Sequence, residues 1–134
     1  MTHILDTNTC IQYLRYGVKS PVTKRIAAAN PGDLALCSIV AGELLYGARR
    51  SNNVAKKLAE VRKFCGLFPS LPVDDAAAEE SAEIRADLAA VGTPIGPNDL
   101  LIAGVARANG LTLVTHNTAE FSRVKGLALE DWQI

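Results

Sequence analysis

Runs with strand character at His3–Leu5, Leu34–Cys37 and Leu111–Thr115 are each separated from the next by stretches with helical spacing. A connection that long is a crossover rather than a hairpin, so the strands run parallel and the helices between them cover the sheet. The alternation predicts a doubly wound α/β fold. Shorter strands are expected near Phe68–Val73 and Leu127–Leu129. With 134 residues, 49% of them apolar and only 5% aromatic, the chain can fill one aliphatic core, and one domain over residues 1–134 is expected.

Local signals set the helix limits. Ser20-Pro21 is a cap followed by proline in the first helical position, and Asn30-Pro31-Gly32 stops that helix. Ser38 is positioned to cap a helix through Arg49, and Gly42 and Gly47 within it suggest a close-packed neighbour, since each weakens a helix by ~1 kcal/mol relative to Ala. Val54, Leu58, Val61 and Cys65 recur at helical spacing after Asn52-Asn53; Asp74 or Asp75 opens another helix that runs to Gly92. These two are expected to pair as an antiparallel hairpin. The loop Gly92–Pro97 leads to Asn98, read as the cap of a helix from Asp99 to about Ala108.

Net charge is zero, but its distribution is uneven: residues 1–70 hold ten Lys or Arg against four acids, and residues 71–134 hold four against ten. Halves of +6 and −6 suit a basic flank beside an acidic centre. Cys10, Cys37 and Cys65 are odd in number and scattered, which argues against a disulfide framework or a thiolate zinc site and for small buried hydrophobes. No basic and apolar leader precedes Asp6, and no run approaches the ~18 apolar residues of a spanning helix. The expectation is a cytoplasmic protein with no membrane partner.

Three acids stand out by position. Asp6 follows the apolar Ile4-Leu5 at a strand end, where open parallel sheets bind ligands; it also has the chemistry of an N-cap, and both readings stand. Glu43 lies in the apolar helix start Ile39–Leu45, where an ionised acid costs several kcal/mol unless a cation, a donor or solvent meets it; Arg49 and Arg50 are candidate partners. Asp99 begins an apolar helix, where an acid also complements the helix dipole. Brought together, the three would repel one another and titrate high unless a divalent ion were bound, and such an oxygen-rich set suits Mg²⁺ or Mn²⁺ rather than zinc. Thr7 and Asn8, which turn the chain after Asp6, and Thr115 and Asn117, which follow the last clear strand, are candidates to position water or phosphate; Glu120 either joins them or caps the turn before Phe121. His116, alone in a loop, is read as a surface residue that phosphodiester chemistry on two metals does not need.

The ordered set Ile4-Leu5-Asp6-Thr7-Asn8, Gly42-Glu43-Leu44 with Tyr46-Gly47, Pro94–Ala103, Leu113–Asn117 and Phe121–Leu127 through Glu130-Asp131-Trp132 resembles the PIN-domain ribonucleases, and among them the VapC toxins of bacterial toxin–antitoxin pairs. The resemblance implies a three-layer α/β/α sandwich with a mostly parallel sheet and Mg²⁺- or Mn²⁺-dependent endoribonuclease activity on RNA such as tRNA. It further implies a homodimer, and inhibition by a VapB antitoxin within a larger complex. It places the metal-binding acids at Asp6, Glu43 and Asp99, with Asn117 as a fourth catalytic position. Many relatives have an acid there, so this chain lacks one charge and a second metal would depend on substrate phosphate.

Two other readings compete. Asp6-Thr7-Asn8-Thr9 is similar to the DxDxT nucleophile motif of haloacid-dehalogenase-like phosphatases, but the second Asp is missing and Glu43 would have no role. A receiver-like or other non-catalytic interaction module would need no metal, and a receiver carries lysine where this chain has His116.

Overall fold

A computed structural model describes all 134 residues. Five strands, β1 (His3–Leu5), β2 (Leu34–Cys37), β3 (Ser70–Leu71), β4 (Thr112–Val114) and β5 (Leu129–Glu130), form one sheet in the order β3-β2-β1-β4-β5. Every pairing is parallel, so the expected mostly parallel sheet is fully so. Seven helices flank it: α1 (Thr7–Tyr16), α2 (Pro21–Ala28), α3 (Ser38–Arg49), α4 (Val54–Cys65), α5 (Asp75–Ala90), α6 (Pro97–Ala108) and α7 (Thr118–Phe121). The chain steps outward from β1 to β2 and β3, then crosses back to β4 on the other side of β1. Because such crossovers are right-handed, this reversal puts helices on both faces and opens a crevice at the carboxyl ends of β1 and β4.

The core is aliphatic, as the composition requires. Ile4, Leu5, Leu34, Leu36, Leu113 and Val114 are fully buried, and all of β2 is covered on both faces, as a central parallel strand must be. Burying each such side chain stabilises by about 1.5–3 kcal/mol. Cys10 and Cys37 are buried free thiols, and Cys65 is half-buried and free. No helix is long and apolar enough to cross a membrane.

Four local expectations are corrected. The expected hairpin of α4 with α5 does not form: α5 packs along α6 and α4 against α3. The cause is steric fit, because Gly104 of α6 sits against α5 so closely that an added Cβ would lie 1.9 Å from Ser81 Oγ and 2.6 Å from the Ala77 carbonyl. Ser81 completes the contact by donating to the Leu100 carbonyl at 2.9 Å. Ser38 is the first residue of α3 rather than its cap, since the extended Cys37 precedes it without a side-chain bond. Asn98 likewise lies inside α6, because Pro97 takes the first helical position after Gly96. Gly42 and Gly47 meet nothing within 4 Å of an added Cβ, so no part of this chain explains them.

Candidate active site

Asp6 follows β1 directly and performs both of its expected roles. It is the N-cap of α1, accepting the Thr9 N–H at 2.8 Å through Oδ1, and it is buried, with 5% exposure. Its own N–H donates to the Val114 carbonyl at 3.1 Å, and the Thr9 hydroxyl donates to the same carbonyl at 3.2 Å. The end of β1 is thereby tied to the end of β4. Thr9, buried beside Asp6, was not among the residues singled out from sequence; a small polar residue three positions after a cap is the only local sign of it.

Glu43 is met by a donor rather than by arginine. The Thr7 hydroxyl donates to its Oε1 at 2.6 Å, joining α1 to α3, and neither Arg49 nor Arg50 forms an ion pair with it. Asp99 lies in the first turn of α6, with its Oδ2 3.7 Å from where a Gly96 Cβ would stand. At the end of β4, Thr115 is fully buried and its hydroxyl accepts the Asn117 N–H at 3.0 Å. The Asn117 side-chain amide donates to Glu120 Oε2 at 2.7 Å. Asn117 therefore spends its donor on aiming an acid that follows it by three residues.

Asn8 stands apart, exposed in the first turn of α1 with no bond to these acids. His116 is also peripheral: its side chain is 59% exposed and pairs with Asp131 at 2.9 Å.

The electrostatics bind the acids into one group. Burial raises the Asp6 carboxyl above its usual range and Glu43 adds to the rise, while hydrogen bonds from Thr115 and Thr9 oppose it. Burial raises Asp99 as well, reinforced in order by the charges of Glu120, Glu43 and Asp6. No Lys, Arg or His forms an ion pair with any of the four. Carboxylates left uncompensated in this way call for a cation, and an all-oxygen donor set fits a hard divalent ion. The side chains stand open rather than closed on one point: no three His, Cys, Asp or Glu groups hold positions from which a single ion could be gripped. Two of the four acids, Glu43 and Glu120, are instead engaged by Thr7 and Asn117.

Comparison with known proteins decides the family. The PIN-domain family model matches residues 3–127. This chain belongs to the PIN-domain ribonucleases, in their VapC branch. It is 42% identical to a tRNA(fMet)-specific endonuclease VapC from Shigella flexneri over 129 residues, 96% of each chain. The tRNA(fMet)-specific endonuclease VapC of Salmonella typhimurium is 40% identical over the same share. Among solved structures, the DNA-bound VapBC of Salmonella typhimurium superposes with a TM-score of 0.93 at 39% identity, covering 98% of both chains. VapBC-1 from nontypeable Haemophilus influenzae gives 0.90 at 30% identity, with both chains covered completely. The PIN fold and its VapC-type members displace the phosphatase and the non-catalytic module as readings of this chain.

Proposed function

We propose that this VapC-type chain is a divalent-cation-dependent endoribonuclease, a toxin of the cytoplasm that cuts tRNA or another structured RNA and is silenced by a VapB-type antitoxin. The observation that carries the metal and the site is the cluster of Asp6, Glu43, Asp99 and Glu120, mutually repelling at the sheet's switch point with no basic partner. The names of the Shigella and Salmonella relatives support tRNA as the substrate class. The VapBC complexes among the structural neighbours support the antitoxin.

Asp6 and Asp99 would hold Mg²⁺ or Mn²⁺, with Glu43 a ligand directly or through water. Bound there, the ion supplies charge neutralisation at the scissile phosphate and activation of a water for in-line attack. The protein's part is placement. The β1–β4 linkage holds Asp6 rigid, Thr7 orients Glu43, and Asn117 orients Glu120 toward Asp99. Glu120 thus supplies the fourth negative charge that Asn117 lacks, and Thr115 fixes the loop on which both sit. His116 takes no part.

Incubation of the purified protein with total tRNA and Mg²⁺ or Mn²⁺ is expected to give discrete fragments, lost on chelation and on co-expression with the antitoxin. Cleavage that survives both chelation and Asp99→Asn would refute the assignment. A homodimer, with a larger assembly once antitoxin is bound, is the expected state in sizing experiments.

A further inference from the structure

We propose that the outer face of α3, centred on Tyr46 and Arg50, is a nucleotide subsite, taking a base beside the scissile phosphate on the Tyr46 ring and its phosphate on Arg50. This rests on the ribonuclease reading above and extends it to substrate recognition.

Tyr46 is 63% exposed, more than Tyr16 at 48%, and no other aromatic ring of the chain stacks on it. It lies three residues after Glu43 and four before Arg50, so the three side chains form one stripe along α3. Side chains on a helix lean toward its N-terminus, which aims Tyr46 toward Glu43 and Arg50 toward Tyr46. The Arg50 guanidinium lies over the ring, 5.4 Å from its centroid. Gly42 lies one turn before Tyr46 on its face of the helix and Gly47 follows it directly; both are exposed, with open space where each Cβ would stand. Two helix-weakening residues without an internal reason leave a smooth surface around one flat ring, which is what a planar base requires.

Charge selects the occupant. The neighbouring acids repel RNA except through their cation, so a polyanion needs positive groups close by. Arg49 and Arg50 meet that need, since neither is engaged in an ion pair. An aromatic ring stacking a base beside arginine on phosphate is the usual chemistry of single-stranded RNA capture, and it places the bases unpaired at the cut.

The test uses full-length protein and a synthetic oligoribonucleotide carrying the cut mapped with wild type on total tRNA. Tyr46→Ala should raise KM about tenfold with kcat within about twofold, the scale of one lost base stack. Tyr46→Trp should restore KM. An abasic nucleotide at the flanking position should raise the wild-type KM equally and add nothing to Tyr46→Ala. Arg50→Ala should raise KM and lessen its salt dependence. Tyr46 is exposed and Ala is the stronger helix former, so an unchanged Tm is expected for that variant. A wild-type KM in Tyr46→Ala overturns the subsite, and loss of antitoxin binding with RNA KM unchanged reassigns this face to a protein partner. A wild type that cuts no RNA overturns the ribonuclease reading itself, and the subsite with it.

Discussion

A cluster of acids and a single acid elsewhere in this molecule are treated in opposite ways. At the carboxyl end of the sheet, Asp6 and Asp99 are raised above their usual range by burial, with Glu43 adding to both and Glu120 and Asp6 adding to Asp99. Glu130 on β5 is held below its range, chiefly by hydrogen bonds from Trp132 and His3, with His3 and Arg25 adding charge. Its Oε2 meets His3 Nε2 at 2.8 Å, its Oε1 accepts the Trp132 indole N–H at 3.0 Å, and Arg25 approaches at 3.3 Å and also lies over the Trp132 ring. The same residue class serves folding in one place and opposes it in the other. Acids kept together against their repulsion are the feature on which the proposed cation site rests.

The largest effect that would break this contrast is on activity. Asp6→Asn and Asp99→Asn are each expected to lower RNA cleavage by on the order of 10²- to 10³-fold, in line with removal of one charge-stabilising group. Glu130→Gln should leave cleavage within about twofold. Equal losses at all three positions, measured on tRNA with Mn²⁺, would erase the distinction.

Next comes linkage to the ion. Mn²⁺ at about a hundred times its Kd should stabilise wild type by about 2.7 kcal/mol in thermal unfolding, and Asp99→Asn should lose most of that gain. The pH response has opposite signs in the two regions. For Asp6 and Asp99 the folded carboxyls hold protons more tightly than the unfolded ones, so metal-free protein gains stability as pH falls from neutral through their raised values. For Glu130 the stability is present above the ordinary carboxylate range and is lost as pH falls through its lowered value. Urea unfolding of metal-free wild type should show the first gain between neutral pH and the ordinary carboxylate range, and Asp99→Asn should reduce it to the share of Asp6.

Smaller effects separate the two roles of Asp6. Asn caps a helix about as well as Asp, whereas Asp6→Ala should cost about 1 kcal/mol through the lost cap while abolishing cleavage equally. Denaturant midpoints of the two variants should differ by that energy divided by their common m-value. Smallest is Glu130→Gln: because its side chain is 41% exposed, solvent screens its partners and a loss of under about 1 kcal/mol at neutral pH is expected.

Much of this architecture could be read from local pattern. The strands β1, β2 and β4 and the stop of α2 follow from short apolar runs and from capping residues whose chemistry acts within a few positions. Asp6 was legible as an acid at a strand end because β1 is so short and apolar that the next residue must leave the sheet. The partner of α5 was not legible: it depends on Gly104 meeting Ser81 across 23 positions, and adjacency along the chain favoured α4 instead. Nor could pattern show that Glu43 is met by Thr7, or that Asn117 donates to Glu120, whose charge acts on Asp99.

By itself, then, the sequence determined the periodicities, the caps and the odd placement of single acids in apolar surroundings, since each depends on interactions within a turn or a pleat. Tertiary structure alone decided that positions 6, 43, 99 and 120 share one electric field, while position 130 is neutralised in another. The strand order β3-β2-β1-β4-β5 makes that decision, by turning the chain back past its first strand and bringing loops far apart in sequence to one end of the sheet.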